Sequence, residues 1–190
     1  MYDAVQDSYC YEGTTVLKNL SNIREQDALN EFEAAMTTQR SDEPLPEGSL
    51  DVAHYCAIHH HLFQDVYSWA GKFRTVRISK GDSAFCYPEH IEKEMQKLFD
   101  DLKSQNYLCE LSPDEFATRA AHFLATLNAI HPFREGNGRA QTSFLLLLAD
   151  HAGHPLNLDE LIPERFMEAM INSFDKDEQQ LAVELKRLVS

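Results

Sequence analysis

His131-Pro132-Phe133-Arg134-Glu135-Gly136-Asn137-Gly138-Arg139 is the stretch that decides how this chain is read. It holds a base, an acid, two glycines and a closing arginine. An apolar, helix-like run precedes it, Phe116 to Ile130, and a second follows, Ala140 to Ala152. A loop placed where a new helix begins is a ready anion site. The first backbone N–H groups point out of the helix start, and the helix dipole favours negative charge there. Gly136 and Gly138 let the backbone turn and approach a ligand closely. Arg139 can set two N–H donors on phosphate oxygens. Glu135 offers carboxylate oxygen to a divalent cation such as Mg²⁺, and His131 is a base that works near neutral pH.

Outward from the loop, the chain is mostly helical. Ser112-Pro113-Asp114-Glu115 is a capping box with proline at the first helical position, which predicts a helix from Pro113 to Ile130. Its apolar face is Phe116, Ala120, Phe123, Leu124 and Leu127, and Asn128 falls one turn before His131. Four leucines in a row, Leu145 to Leu148, make the following helix apolar on nearly all sides, the pattern of a central helix. Apolar spacing predicts further helices over 24–38, from a cap at Ser49 with Leu50, Ala53, Ala57, Ile58 and Leu62 buried and the stretch 65–71 closing it, and over 88–105. One or two more are expected in 159–189, with a break near Phe174-Asp175. Gly71 suits the position that ends the second helix. Residues 72–87 alternate apolar and polar around Ser79-Lys80-Gly81-Asp82 and predict one β-hairpin. His59-His60-His61 cannot converge on one ion, because adjacent helical positions diverge by about 100°, so a packed histidine is expected there rather than a metal site.

At 190 residues, with 43% of them hydrophobic, the chain forms one domain, 1–190, with enough apolar content for a proper core. A net charge of −14 argues against direct nucleic-acid binding, which needs a basic footprint. No apolar run approaches the roughly 18 residues of a membrane span. The first residues, Met1-Tyr2-Asp3-Ala4-Val5, lack a secretory leader's basic and apolar regions, so the expected location is cytoplasmic, with a signal for specialised secretion not visible at this level. Cys10, Cys56, Cys86 and Cys109 are widely spaced and are expected as thiols.

The loop resembles the signature of the Fic family, H-x-F-x-[D/E]-G-N-G-R-x-x-R, at every fixed position from His131 to Arg139. Thr142 stands where the family has its second arginine. The resemblance extends over about residues 9 to 155 and takes in a Tyr-x-Tyr opening at Tyr9 and Tyr11 and an Asp65-x-Tyr67-x-Trp69-Ala70-Gly71-x-x-Arg74 segment. It implies an all-α helical bundle with the hairpin as a flap over the active site. It also implies transfer of AMP from ATP-Mg to a Ser, Thr or Tyr hydroxyl of a target protein docked on that flap. His131 would take the hydroxyl proton, and Glu135 would orient Mg²⁺. Gly136, Asn137 and Gly138 would cradle phosphates, and Arg139 would neutralise the β-phosphate and the leaving pyrophosphate. Phe133 would be a buried anchor. Arg134, which has no derivable role, and Asn128 are placed with the nucleotide-binding set, as are Lys80 and Gly81 at the hairpin tip.

The toxin-like branch of the family further implies a small antitoxin partner. Ser8-x-x-x-Glu12-Gly13 also fits the family's inhibitory motif, normally carried on a helix. Because Thr142 gives one neutral hydrogen bond in place of a charged fork, Thr142→Arg is expected to tighten ATP binding. Two other outcomes are compatible with the residues: a Doc-like phosphotransferase, or a catalytically impaired binding module that keeps the fold.

Overall fold

Ser112 starts the helix on which the others assemble. Its side chain accepts from the Glu115 backbone N–H, and the Glu115 carboxylate accepts from the Ser112 N–H. That reciprocal cap launches Pro113–Ile130, the fourth of seven α-helices found among the described residues of the computed structural model, which are 7–80, 83–174 and 177–189. The helices are α1 (Gln26–Ser41), α2 (Val52–Phe63), α3 (Pro88–Ser104), α4 (Pro113–Ile130), α5 (Asn137–His151), α6 (Pro163–Phe174) and α7 (Gln179–Leu188). Helix α4 packs against α3, α5, α6 and α7, while α2 lies on α1, α3 and α5. The hub is therefore α4 and not the leucine-rich α5, whose Leu146 and Leu147 are only half-buried.

The core is aromatic where α2, α4 and α5 meet. Tyr55, Phe63, Phe116, Phe133 and Phe144 are all fully buried, each contributing about 1.5–3 kcal/mol of transfer free energy. Tyr55 stacks on Phe133 and meets Phe144 edge-on. The sequence pattern placed Leu29, Ile58, Leu62, Ile91, Met95, Leu98 and Leu102 in this core, and they are buried. Ala53, expected inside, is exposed.

Helix α2 begins later than expected. Asp51 rather than Ser49 caps it, accepting from the His54 N–H. Leu50 then takes a positive φ of 54° and turns into the core. The helix stops at Phe63, capped by Gln64 in a helical conformation. Gly71, at φ +78°, lies in a later turn, where a Cβ would come within 2.8 Å of the Cys56 carbonyl.

The hairpin is shorter than its alternation suggested. Two-residue strands β1 (Ser79–Lys80) and β2 (Ser83–Ala84) pair antiparallel, Ser79 with Ala84 and Lys80 with Ser83. The stretch from Lys72 to Arg77 is irregular, and the carbonyl of Val76 is taken by the Arg74 side chain. Gly81, placed at the tip, lies outside the described residues.

Near the amino end, Tyr11 N–H donates to the Val16 carbonyl and Lys18 N–H to the Tyr9 carbonyl. Ser8 to Gly13 is thus part of a tight turn and not a helix. Glu12 is exposed on it, in a setting other than the helix that normally carries the inhibitory motif.

Candidate active site

Helix α4 ends on His131, which takes a left-handed conformation at φ 49° and ψ 63°. Such backbone in a non-glycine residue costs on the order of 1 kcal/mol or more and must be held by its surroundings. The holder is Arg74. Its Nε donates to the His131 carbonyl at 2.8 Å, and its Nη2 donates to the Ile130 carbonyl at 3.2 Å and the Cys86 carbonyl at 2.6 Å. Its Nη1 donates to the Val76 carbonyl at 2.8 Å. A cation at a helix C-terminus is favoured by the helix dipole, and here it also ties the hairpin to the His131 turn. Arg74 is 2% exposed, and burial pulls its pKa down to about 10.

The His131 ring follows from that backbone. Its Nδ1 lies 3.3 Å from the Asn128 carbonyl, an acceptor only, so Nδ1 is the donor of that pair, and in the neutral ring the lone pair falls on Nε2. Phe85, the residue after β2, stacks on the ring at 4.0 Å. His131 is only 5% exposed, and it opens onto a cavity of about 340 Å³. The polar side of this cavity is His131, Asn128, Gly138, Gln141 and Thr142. Leu124 of α4, Leu145 of α5 and Phe174 of α6 are on its apolar side.

Helix α5 starts inside the loop, at Asn137, so the motif's last residues form its first turn. Ala140 N–H makes the first intrahelical bond, to the Gly136 carbonyl, and the N–H groups of the first turn precede it at the helix mouth. A Cβ on Gly138 would meet nothing within 4 Å, whereas one on Gly136, at φ +82°, would lie 2.2 Å from the Phe63 ring.

The structure spends several signature side chains on the fold itself. Asn137, expected to cradle phosphate with its amide, is 1% exposed; its Oδ1 accepts from the Phe133 N–H and its Nδ2 donates to the Phe133 carbonyl. Arg134, placed with the nucleotide-binding set, is buried and donates to Asp7 at 2.8 and 2.5 Å. Arg139 lies over the Phe63 ring and donates to Glu33 of α1 at 2.5 Å and to Thr37 at 3.2 Å. Glu33 in turn accepts from the Tyr67 hydroxyl, and burial, with this carboxylate beside it, pushes the Tyr67 pKa up. Asn128 both lines the cavity and donates to the Met170 carbonyl of α6 at 3.3 Å. Lys80 closes β1.

Glu135 remains partly exposed. One carboxylate oxygen accepts from the Gly136 N–H at 3.0 Å. Among the described residues no group of three or more His, Cys, Asp or Glu side chains is placed to hold a metal. A cation beside Glu135 would therefore take its other ligands from a bound phosphate or from water, as Mg²⁺ on a nucleotide does.

His59, in the triple-histidine run, was expected to pack, and it does more. Its ring stacks on Phe133 at 3.7 Å. Nδ1 accepts from the Gly71 N–H at 2.9 Å, which leaves the proton on Nε2 to donate to the Glu135 carbonyl at 2.9 Å. Burial pushes its pKa down to about 4, so it braces the loop as a neutral ring. His60 and His61 donate to the carbonyls of Ala70 and Arg40. Three neighbouring rings thus staple three different segments.

Fold and site together define a class: a helical domain in which the turn between two core helices sets an imidazole and an open helix start on one cavity. The chain belongs to the Fic/DOC family, whose profile matches residues 49–149. It is 51% identical over 189 residues to "Probable protein adenylyltransferase y4lH" of Sinorhizobium fredii, covering 99% of this chain and 98% of that protein. It is 35% identical over 189 residues to "Protein adenylyltransferase VbhT" of Bartonella schoenbuchensis, covering 98% of this chain and 40% of that one. Among solved structures it is similar to the effector protein BepC of Bartonella tribocorum with bound AMPPNP. That similarity has a TM-score of 0.84 and 29% identity, over 96% of each chain.

Proposed function

We propose that this chain is a protein adenylyltransferase, moving AMP from ATP to a hydroxyl side chain of a target protein. The observation that carries the reading is the placement of His131, on the cavity wall with its Nδ1 against the Asn128 carbonyl. With Nδ1–H committed to the Asn128 carbonyl, Nε2 is a base on the wall of the cavity that also receives the start of α5. The target oxygen attacks the α-phosphorus, the bond to the bridging oxygen of the β-phosphate breaks, and pyrophosphate leaves. The hydroxyl proton passes to His131 Nε2, a step typically worth about 10²- to 10⁴-fold in rate. The first-turn N–H groups of α5 hold phosphate oxygens, and the missing side chain at Gly138 keeps that approach open. Mg²⁺ held by Glu135 would offset phosphate charge. Arg139 reaches the phosphates by exchanging its bond to Glu33.

The target segment docks along the β1–β2 hairpin by main-chain pairing. Phe85 and the Cys86 N–H, which donates to the Ala129 carbonyl, lead from that hairpin straight to His131. A small separate protein restrains the enzyme, a reading supported by the exposed, non-helical setting of Glu12. No helix among the described residues is long and apolar enough to cross a membrane, and the chain acts on protein in the cytoplasm of whichever cell it works in.

Intact-mass spectrometry of a target treated with this protein and Mg-ATP tests the reading. An added adenylyl group is expected. An added phosphoryl group would establish the phosphotransferase instead. No covalent change, with an undiminished cellular effect of the His131→Ala variant, would establish a binding module.

A further inference from the structure

Three buried side-chain polar atoms among the described residues have no hydrogen-bond partner: Tyr55 Oη, Trp69 Nε1 and Gln141 Nε2. Of these residues only Gln141 lines the cavity beside His131. It is 3% exposed. A buried amide left unpaired is a cost to the resting fold that an apolar side chain of similar size would not incur. A partner that arrives with the ligand would repay it.

Position along α5 says which part of the ligand that is. Gly138, Gln141, Thr142 and Leu145 share one face of the helix, at the spacing of successive turns. Gly138 is at the helix start, where phosphate binds. Gln141 is about 4.5 Å further along the axis, and Leu145 about another turn beyond, facing apolar walls that suit a base. The group that lies between phosphate and base in a nucleotide is the sugar. The Thr142 hydroxyl is at the same level but donates to its own helix, to the Gly138 carbonyl at 3.0 Å. A carboxamide offers both donors and an acceptor, the complement of a vicinal diol whose hydroxyls also do both. Its terminal torsion is soft, so the amide turns toward the cavity at little cost.

Resting on the nucleotide reading above, we infer that Gln141 is a specificity-determining residue that hydrogen-bonds the ribose hydroxyls of the bound nucleotide. Calorimetric titration of the wild type and Gln141→Leu with Mg-ATP, Mg-2′-deoxy-ATP and Mg-3′-deoxy-ATP, with melts of both proteins in the absence of nucleotide, tests it. The wild type is expected to bind ATP about tenfold more tightly than at least one deoxy form. Gln141→Leu is expected to bind all three alike, at the wild type's affinity for the weaker form, with an unchanged or raised melting temperature. Gln141→Met, unbranched and of similar length, is expected to behave as the leucine variant does. Discrimination that survives both substitutions, equal binding of all three by the wild type, or a clear fall in melting temperature in both variants would overturn the assignment. A wild type that binds none of the three would instead overturn the nucleotide reading, and this assignment with it.

Discussion

Gly136 and Gly138 are separated by a single residue, yet a methyl group on the first would land 2.2 Å from the Phe63 ring, and on the second would meet nothing within 4 Å. The difference runs through the whole turn. On its inner side Gly136, Asn137 and Arg134 are buried and bonded to the protein, and His59 and Arg74 brace the same backbone from outside the motif. On its outer side Gly138, Gln141, Thr142 and the His131 ring face a cavity. A signature that looks like one functional unit is therefore two: a frame that fixes the turn, and a short arc that faces the cavity. Substitutions on the two sides should separate stability from binding.

The inner side should break first. Arg74→Leu leaves the buried carbonyls of Ile130 and His131 and the half-buried ones of Val76 and Cys86 without their donor, and is expected to cost about 3–5 kcal/mol by urea denaturation. A loss under 1 kcal/mol would mean that the turn holds itself. Gly136→Ala, which meets both a positive φ and the Phe63 ring, belongs with it at about 3 kcal/mol or more.

The His59 brace adds a pH signature. The folded ring takes a proton only near pH 4, while the unfolded ring takes it near the ordinary 6.5, so between these values the unfolded chain binds the extra proton. The stability from neutral His59 is whole above pH 6.5 and is lost as pH falls toward 4, by about 3 kcal/mol in all. The stability difference between the wild type and His59→Gln should shrink by that amount between pH 7 and pH 4. A difference that is flat with pH would place the brace elsewhere.

The outer side should behave in the opposite sense. Gly138→Ala is expected to leave stability unchanged or raise it by about 0.5 kcal/mol, while weakening Mg-ATP about tenfold by standing before the helix N–H groups. Unchanged affinity would move the phosphates off this helix start. The smallest effect is expected where the two sides meet. Glu33→Gln removes the charge that holds Arg139, lowering stability by about 1 kcal/mol or less and tightening Mg-ATP by about three- to tenfold, as a released guanidinium should. Weaker binding would show that Glu33 positions Arg139 rather than competing for it.

Much of the frame was legible because it is written locally. The capping box at Ser112, the apolar faces of α3 and α4, and the division of the last stretch into α6 and α7 each depend on residues a few positions apart. His131, Glu135 and Gly138 could be singled out as candidates for the same reason, since the motif is contiguous. What could not be read were the partners across the chain. Arg134 meets Asp7 across 127 residues, and Arg74 meets His131 across 57. Nothing in either neighbourhood announces that the guanidinium will be buried. Asn137 looked like a phosphate ligand because its partner, the Phe133 backbone, carries no side-chain signal. Gln141 stood at a variable position of the motif, and only the cavity and its unpaired amide pick it out. The alternation from Phe73 to Ile78 suggested a longer strand, but a buried arginine had already taken the Val76 carbonyl.

The most direct measurement is incubation of the wild type and His131→Ala with Mg-ATP labelled at either the α- or the γ-phosphate, in cell lysate, followed by detection of protein-bound label. The α-label alone should become attached to protein, and His131→Ala should lower its attachment about 10²-fold or more. Attachment of the γ-label, or α-labelling that His131→Ala leaves intact, would contradict the role given to the imidazole between α4 and α5.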